Sequence, residues 1–466
     1  MKRLTTTIRL SSLAMALAAT LLAGCSFIPT YQRPEAPVAA AFAQPGANTG
    51  TAASELPWTD FLPDARLRAL VDLALHNNRD LRVAVLNVEQ TRALLGVQRA
   101  DQLPSVGAGF NASRVPGSNG QQASTYTLGL SVSAFELDLF GRVKSLSEAA
   151  LARYLASDEA RRAAQVSLIA TVASADLVLR ADDELLAVTQ RTLASREEGL
   201  KLVRVKFDGG VSAEPELRAT ESLVAAARTS LIALQRQRQL DLNALVLLLG
   251  QPLPATLPVV QALASTSFTD LPAGLPSEVL LLRPDVRQAE QLLMASNANI
   301  GAARAAFFPR ISLTGSAGFA STQLSGLFDN TAWSFTGQLL QPLFDAGRNE
   351  ASLAASRAAR DIAVAQYEKT VQTAFREVAD ALAGRATLGD QLAAQQAQAD
   401  AEARRLELAE LLYAGGVVSQ LDRLDAERNT LAARQAVVQL QLARLQNAVQ
   451  LYRVLGGGAP AAVQTR

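Results

Sequence analysis

The sequence repeats itself at a spacing of about 205 residues, and this duplication constrains the possible folds more than any other feature. Leu95–Pro104 and Ile300–Pro309 share the pattern G-x-x-R-x-x-x-x-P. The same spacing, or one residue more, relates Asp80-Leu81-Arg82 to Asp285-Val286-Arg287, Gly141-Arg142 to Gly347-Arg348, Gly209-Gly210-Val211 to Gly415-Gly416-Val417, and Leu249-Gly250 to Leu455-Gly456. A register kept over about 170 residues indicates two fused copies of a domain-sized unit, because solenoid repeats are far shorter.

Each copy contains two segments in which apolar residues alternate with small polar ones. They are SVGAGFNASR and YTLGLSVSA in the first copy, and the stretches around 311–319 and 333–339 in the second. A period of two predicts β-strands, and a length of about 9–11 residues suits strands that cross a membrane at a tilt. Eleven of the 23 aromatic residues lie in Ser105–Phe140 and Phe307–Phe344. A soluble sheet would normally present charged residues to water, so the uncharged polar face favours a membrane barrel.

Four strands are too few to close a barrel, since bacterial membrane barrels begin at about eight strands. An open sheet edge is not viable in lipid. The sequence therefore predicts an oligomer whose subunits complete one barrel together. The periodicity leaves two, three or four subunits open.

Long helices follow the strands in both copies. The runs Gly141–Phe207 and Arg348–Tyr413 contain no proline and are rich in Ala, Leu, Gln, Glu and Arg, which are strong helix formers. At 1.5 Å per residue each would extend roughly 100 Å. The glycine pairs Gly209, Gly210 and Gly415, Gly416 are expected to turn each helix into a hairpin. Gly384 and Gly389 are expected to mark an irregularity within the second long helix.

The shared G-x-x-R-x-x-x-x-P pattern predicts where helices meet the membrane strands. Pro104 and Pro309 would end a helix where a strand begins, and Gly141 and Gly347 would turn a strand into a helix. Close helix packing at glycines and arginines at the headgroup boundary are expected at Gly96, Arg99, Gly301 and Arg304. Ordinary helix packing with solvated arginines is an equally good interpretation of these last four residues.

The N-terminus predicts export. Lys2, Arg3 and Arg9 precede a short apolar core that ends in LAGC, as in a signal peptide. This ending resembles the bacterial lipoprotein cleavage box, which leaves Cys25 as the lipidated first residue. Ser26 follows it, and in that pattern a residue other than aspartate favours the outer membrane. An ordinary signal peptide with a chance cysteine is the alternative, but the only cysteine of the chain falls at this position.

Composition excludes several classes of function. The formal net charge of +1 argues against nucleic acid as a partner, because no basic excess is available to neutralise phosphates. One histidine, His76, and one cysteine leave little basis for His/Cys metal sites or Cys–His catalysis. No nucleophile elbow or phosphate loop is present. We therefore expect no enzyme, no metal and no cofactor apart from the covalent lipid on Cys25.

These features predict six regions. They are a signal peptide (1–24), a lipidated extended tail (25–60), a first repeat (61–250), a proline-rich linker (251–282), a second repeat (283–456) and a C-terminal tail (457–466). Strands are expected at about 105–138 and about 310–344, and helical hairpins at about 141–250 and about 348–456.

A family resemblance adds to this interpretation. The segment LLRPDVRQAEQLLMASNANIGAARAAFFPRISLTG, together with DLFGR, YAGGVVSQLDRLDAER and the lipoprotein box, resembles the outer-membrane factor family, the TolC-like efflux channels, in its lipoprotein (NodT) branch. The resemblance implies a mainly α fold with a membrane β-barrel part: a homotrimer with a twelve-stranded barrel, four strands from each chain, continued by a long-helix α-barrel.

The resemblance also implies a function. Family members are passive ducts that export drugs or other small toxic molecules through the outer membrane, with a periplasmic adaptor and an inner-membrane transporter, usually of the resistance-nodulation-division (RND) type, as partners. Two alternatives remain open at this stage, a duct for protein secretion (type I) and a periplasmic coiled-coil scaffold without a pore. The lipoprotein box and the NodT-like segment favour small-molecule export. An adaptor would be expected to show one hairpin flanked by β-domains.

The same resemblance suggests a periplasmic gate beside the second glycine pair. Tyr413, Asp422 and Asp425 match the constriction of the family, where acidic side chains ring the narrow tip. The sequence departs from the family pattern at Val418, where some members have a locking arginine, and at Arg423, where an aliphatic residue is commoner. Ser419-x-x-Asp422 is also typical of a helix capping box. Phe207, Gly210 and Glu216 occupy the corresponding places in the first copy.

Overall fold

A computed structural model describes residues 26–42, 53, 55–116, 122–271 and 277–458. The predicted signal peptide, Cys25 and most of the C-terminal tail lie outside the described residues. The elements run α1 (Trp58–Phe61), α2 (Ala65–Asn77), α3 (Arg79–Ala100), β1 (Val106–Pro116), β2 (Gln122–Leu137), α4 (Arg142–Asp208), α5 (Glu214–Leu249), α6 (Pro284–Ala305), β3 (Arg310–Ser321), β4 (Thr331–Leu340), α7 (Arg348–Ala414) and α8 (Gln420–Val454). Short 3-10 turns lie at Leu263–Ser265, Ser277–Leu282 and Leu324–Gly326.

The chain forms two compact units, and each unit takes an equivalent stretch from both repeats. The first contains the described residues of Met1–Ala36, Val85–Glu159 and Arg287–Thr370. The second contains those of Pro37–Ala84, Ala160–Val286 and Val371–Arg466. Neither repeat is therefore a domain by itself, because the two copies share both units.

A four-stranded antiparallel sheet forms part of the first unit, in the order β1-β2-β3-β4. β2 pairs with β3, so the central pairing joins the two repeats. The register places Phe110 opposite Leu128, Leu128 opposite Phe319, and Ala317 opposite Trp333. Directly opposed residues share a face, so the aromatic residues and most of the large aliphatic residues of the four strands lie on one face, and most of the Ser and Thr residues lie on the other.

β2 has 16 residues, more than the expected 9–11, and it contains a β-bulge between Val132 and Phe135. Ala134, which strict alternation assigns to the apolar face, adopts φ 48° at this bulge, and its N–H donates to Thr314 Oγ1. A bulge inserts one extra residue and so reverses the alternation. As a result Phe135 and Leu137, opposite Leu313 and Ile311, also lie on the apolar face.

The polar face carries a row of glycines where β2 and β3 approach closely. Gly109 lies opposite Gly129, and Gly129 lies opposite Gly318. A Cβ atom at Gly318 would collide with the backbone of Leu128 and Gly129, and one at Gly129 would lie 2.5 Å from the carbonyl oxygen of Ala317. At Gly109 no described atom lies within 4 Å of that position. The central pair of this row is therefore restricted to glycine by sterics.

Helices meet strands at the residues that the repeated pattern marks. α3 ends at Ala100 and β1 begins at Val106, with Pro104 between them. α6 ends at Ala305 and β3 begins at Arg310, directly after Pro309. Gly141 and Gly347, with φ of 70° and 82°, immediately precede α4 and α7. The carboxylates of Asp138 and Asp345 accept hydrogen bonds from backbone N–H groups in the first turns of these helices. Such caps satisfy N–H groups that have no partner within the helix.

Gly96 and Gly301 are not equivalent in their packing. A Cβ atom at Gly301 would lie 2.6 Å from the Ile28 side chain and 2.7 Å from Ser145 Oγ, whereas no described atom lies within 4 Å of that position at Gly96. Gly301 thus admits the N-terminal segment, residues 26–36. Of the two glycines, Gly301 has close neighbours among the described residues and Gly96 has none.

The N-terminal segment lies along α6. Arg304 donates to the carbonyl of Phe27, and Asn297 donates to the carbonyl of Pro29. Further along, Tyr31 and Arg33 bind Glu290, with Arg33 at 2.7 and 3.0 Å from the two carboxylate oxygens. These contacts fix the register of the segment, which runs from the end of α6 towards its start.

The second unit is organised around a buried arginine. Arg180 on α4 is 2% exposed and binds Asp176 on the same helix and Asp64, the N-cap of α2. Arg66 also binds Asp176, at 3.2 Å. Buried charges persist only when they are paired and hydrogen-bonded. This network therefore attaches α2 to α4 in a fixed position.

α7 is a continuous helix from Arg348 to Ala414, so the expectation of an irregularity at Gly384 and Gly389 is wrong. Gly384 instead faces α8, because a Cβ atom there would collide with the side chain of Asn447. Asn447 donates to the carbonyl of Ala381 at 3.0 Å. The glycine thus permits close approach of two helices.

α4 alone among the described helices is long and apolar enough to pass for a membrane span, with a mean hydropathy of 1.3 over 18 residues. Half of that window is buried inside the protein. Its buried residues include Val172, Ala173 and Leu177. Burial of this kind is typical of a core helix.

Gly318→Ala should destabilise the sheet by about 1–3 kcal/mol, because an added Cβ forces the β2 and β3 backbones apart. Gly109→Ala, in the same row and on the same face, is the matched control and should have little effect. The measurement is the melting temperature of the purified protein in detergent. Equal melting temperatures for the two variants would contradict the steric argument.

Candidate functional site: the tips of the two hairpins

Two glycine-based turns connect α4 to α5 and α7 to α8. Gly210 and Gly416 adopt φ of 71° and 73°, in the left-handed region that favours glycine. Val211 N–H donates to the carbonyl of Lys206, and Val417 N–H donates to that of Leu412. This pattern is a Schellman ending, which satisfies the last carbonyls of a helix. Both tips therefore have the same backbone design, as the duplication predicts.

Asp422 belongs to a capping box at the start of α8. Ser419 Oγ accepts from Asp422 N–H at 3.2 Å, and Ser419 N–H donates to Asp422 Oδ2 at 3.1 Å. The Ser419 hydroxyl also donates to Oδ2, at 2.6 Å. These hydrogen bonds, first that of the hydroxyl and then that of the backbone, hold the pKa of Asp422 below its usual value. Asp422 is fully exposed and stays ionised while it caps the helix.

Asp425 is placed differently from Asp422 although both are on α8. Arg428 on the same helix binds its Oδ1, and Arg405 on α7 lies 3.6 Å from its Oδ2. Arg405 also approaches Glu402 at 3.3 Å. The charge of Asp425 is thus balanced by two arginines within the chain. An acidic ring at the tip would rest on Asp422 more than on Asp425.

Tyr413 connects the two hairpins. Its hydroxyl donates to Glu216 Oε1 on α5 at 3.2 Å, and Lys206 Nζ on α4 lies 3.4 Å from the same hydroxyl. Glu216 Oε2 accepts from Ser212 at 2.6 Å, which orients the carboxylate. We name Tyr413, Glu216, Lys206 and Arg423 the tip clasp, because these four residues join α4, α5, α7 and α8.

Two cations lie against the ring of Tyr413. Lys206 Nζ is 5.0 Å from the ring centroid and the Arg423 guanidinium is 5.5 Å from it. Cations within about 6 Å of an aromatic face are attracted by its quadrupole. Arg423 also donates to Gln420 at 3.1 Å. The arginine that departs from the family pattern therefore holds α8 against α7.

A second, buried link lies about three helical turns from Lys206 along α4 and about one turn from Arg423 along α8. Arg196 on α4 binds Glu427 on α8 at 2.7 Å and donates to the carbonyl of Leu223 on α5 at 3.1 Å. Both charged side chains are buried. Removing one partner of such a pair leaves an uncompensated buried charge and typically costs about 3–5 kcal/mol. The two hairpins are therefore tied at two levels.

A cavity of about 330 Å³ lies in the first unit where β2, β4 and α6 end and β3 begins. Its walls include Glu136, which Arg142 binds at 2.8 and 2.7 Å and Arg310 approaches at 3.4 Å. Arg99 and Arg304 lie at the ends of α3 and α6. Arg304 is bonded to the N-terminal segment as described above, and Arg99 is exposed. Charged groups thus gather at the strand ends next to the helices.

Several of these residues were not singled out from the sequence. Lys206, Arg405 and Arg428 gave no signal, because their partners lie on other helices or within an ordinary charged surface. Glu216 was named only because it lies in the first copy at a place that corresponds to the gate residues of the second copy. Its pairing with Tyr413, 197 residues away, needs the fold to be seen. None of the described residues forms a cluster of three or more His, Cys, Asp or Glu side chains suited to a metal ion.

Comparison with known proteins identifies the family. The outer membrane efflux protein family matches residues 70–251 and 275–457. The toluene efflux pump outer membrane protein TtgC of Pseudomonas putida is 45% identical over 462 residues, 96% of each chain. The antibiotic efflux pump outer membrane protein ArpC of Pseudomonas putida shows the same identity and coverage.

A solved structure agrees with these relatives. The open state of the MtrE outer membrane channel of Neisseria gonorrhoeae is 41% identical, with a TM-score of 0.87 over 95% of this chain and 100% of that one. The predicted fold class, a trimeric TolC-like channel with four barrel strands from each chain, is confirmed. The chain belongs to the outer membrane efflux protein family, and it is a duct for efflux through the outer membrane.

Proposed function

We propose that this duct works in a three-part pump for small toxic molecules, lipid-anchored at Cys25, with a periplasmic adaptor and an RND-type inner-membrane transporter as partners. The observation that carries the proposal is the combination of a one-sided apolar sheet with two hairpins that end in exposed apolar tips. Transport through the duct is passive, so the chain needs neither a catalytic group nor a cofactor. Relatives named for toluene and antibiotics support small molecules rather than secreted proteins.

Barrel closure between subunits is supported by the edges of the sheet. β1 and β4 are exposed along their whole length, and Trp333 on β4 is 80% exposed. Unpaired backbone groups in lipid each cost several kcal/mol, so both edges need partners. Pairing β1 of one subunit with β4 of the next satisfies them, and three chains then supply twelve strands.

The lipid anchor on Cys25 is supported by the position of the N-terminal segment. Phe27 stacks on Phe308 with ring centroids 4.6 Å apart, and Phe308 stacks on Phe140 at 5.0 Å. This aromatic stack lies beside the start of β3. A lipid attached two residues before Phe27 would therefore enter the membrane next to the barrel strands, at the depth where aromatic side chains are favoured.

Docking of the adaptor is supported by apolar residues at the hairpin tips. Val211 is 80% exposed and Val417 is 71% exposed. Their neighbours Val205, Leu411 and Leu421 are also exposed. Exposed apolar patches on a protein otherwise rich in polar surface mark sites for other proteins. A helical partner with apolar residues at its own tip fits this surface.

The tip clasp is the proposed gate, together with Asp422. It joins α7 and α8 to α4 and α5, so tips that separate must first break the Tyr413–Glu216 hydrogen bond. Lys206 and Arg423 stabilise the same ring. The geometry supports the assignment of Tyr413 and Arg423 as gate residues and adds Glu216 and Lys206 to them. Asp425, balanced by Arg405 and Arg428, would contribute less charge to the pore.

Breaking the tip clasp should favour the open duct. Tyr413→Phe removes a half-buried hydrogen bond worth about 1 kcal/mol, so the open fraction in planar bilayers should rise about fivefold. Glu216→Gln keeps an acceptor for the Tyr413 hydroxyl but loses the charge, so it should raise the open fraction by a smaller factor. Glu214→Gln, which removes an exposed carboxylate of the same helix bound only to Arg218, is the matched control and should leave conductance unchanged. Equal conductance for all three variants would contradict the proposal that the tip clasp is part of the gate.

Closure between subunits predicts cross-links between the edge strands. Cysteine at Asn111 on β1, combined in turn with cysteine at Ala332, Ser334 or Thr336 on β4, should give disulfide-linked dimers and trimers after oxidation. The control pair, Asn111 with Ser316 on the internal strand β3, should give none. Gel electrophoresis without reductant measures the products. Monomers alone in all three edge pairs would contradict closure by β1 and β4.

Adaptor docking predicts that resistance and conductance can be separated. Val211→Asp and Val417→Asp should abolish complementation of a strain that lacks this gene, measured as susceptibility to toluene and a panel of antibiotics. The purified variants should still form pores. Val259→Asp, at a valine that is 88% exposed away from the tips, should complement normally. Full resistance in both tip variants would exclude the tips as the docking surface.

A further inference from the structure

A pair of aspartates lies between the helices of the first hairpin, away from the tip clasp. Asp182 is on α4 and Asp241 is on α5, each roughly 40 Å along its helix from the tip at 1.5 Å per residue. Asp182 is 6% exposed, and its Oδ2 atom has no hydrogen-bond donor among the described residues. Buried polar atoms without partners are rare in native proteins, so this one needs an explanation.

The surrounding groups do not neutralise the pair. The charges that act on Asp182 come from Asp241 and Arg238 on α5 and from Asp183 on its own helix. Arg238 is bound to Asp183 by a hydrogen bond. Gln237 donates to Asp241 Oδ2 at 2.9 Å, which supplies a dipole but no charge. Arg238, the cation that acts on Asp182, is therefore already bound to Asp183.

Two carboxylates in such a place cannot both ionise without cost. Burial, and then the neighbouring Asp241 carboxylate, raise the pKa of Asp182 to about 7. A proton on one carboxylate lets it donate to the other, which replaces repulsion by a hydrogen bond.

The second hairpin provides an internal comparison. At the spacing of 206 residues that relates the two hairpins, Asp182 corresponds to Leu388 and Asp241 corresponds to Asn447. Leu388 and Asn447 carry no charge. The same helix pairing is thus built without acids in the second repeat. The aspartate pair is therefore not a requirement of the hairpin fold.

We propose that Asp182 and Asp241 share one proton at neutral pH and make the first hairpin a pH-sensitive element of the duct. When the proton is lost, two neighbouring negative charges, of which that on Asp182 is buried, push α4 and α5 apart. α5 carries Glu216, so the strain reaches the helix that bears one side of the tip clasp. That last step rests on the proposed gate, whereas the shared proton does not.

The direction of the pH effect follows from the raised pKa. A carboxyl whose pKa is higher in the folded protein than in the unfolded chain binds its proton more tightly when folded. The stability it contributes is fully present below the ordinary value of 3.8. It is lost as the pH rises towards about 7, and the folded state stays less stable above that pH.

The experiment compares Asp241→Asn and Asp182→Asn with the full-length protein in detergent. Infrared difference spectra should show a protonated carboxylic acid at neutral pH that titrates with a midpoint near 7 in the native protein. The band should vanish in Asp182→Asn, and in Asp241→Asn, where burial still acts on Asp182, its midpoint should move to lower pH. The melting temperature of the native protein should fall between about pH 5 and pH 8. This fall should be lost in Asp182→Asn and should move to lower pH in Asp241→Asn.

Two further variants keep the test decisive. The double variant Asp182→Leu with Asp241→Asn reproduces the second hairpin and should fold without the pH-dependent step, so it replaces Asp182→Asn if that variant is unstable. Asp390→Asn removes one exposed carboxylate of the second hairpin and should keep the native pH profile. A midpoint that is unchanged in Asp241→Asn, or a band or pH step that persists in the double variant, would overturn the shared proton. Loss of the band with unchanged pH dependence of conductance would overturn only the link to the gate.

Discussion

The unpaired edges of the four-stranded sheet determine what this molecule must be. β1 and β4 each expose a full row of backbone N–H and C=O groups next to a face of valine, leucine and aromatic side chains. That face belongs in lipid, where water cannot satisfy the edges. Closure of the barrel between subunits satisfies both conditions, because the apolar face then meets lipid and the edge groups gain hydrogen-bond partners. Gly129 on β2 and Gly318 on β3 lie where the two backbones approach so closely that they leave no room for a side chain.

The helical part is held by links of two kinds. Buried ion pairs such as Arg180 with Asp64 and Asp176, or Arg196 with Glu427, fix helices firmly. Near the turns the links become half-exposed: one tyrosine hydroxyl, two cations on its ring and a capped aspartate. Interaction strength thus falls towards the tips, which is consistent with the proposed gate.

Sequence reasoning recovered the features that follow from periodicity. The duplication, the alternating strands and the turn glycines each depend on short patterns, and the register of the sheet places the predicted apolar residues on one face. It failed where one residue changes a pattern, as at the bulge of Ala134, and where a glycine serves packing, as at Gly384. The clasp between Tyr413 and Glu216 and the balance of Asp425 by Arg405 join residues on different helices, and no local pattern encodes such pairs. The gate role of Tyr413, Asp422, Arg423 and Asp425, and the lipid on Cys25, stay predictions.

The sharing of both compact units between the two copies has an evolutionary implication. A progenitor of half this length would carry two strands and one hairpin, and six such chains would be needed to assemble the same cylinder. Fusion of two copies halves the number of separate molecules that must meet. It also frees the copies to diverge, so that one hairpin can hold ionisable groups where its sister holds leucine and asparagine.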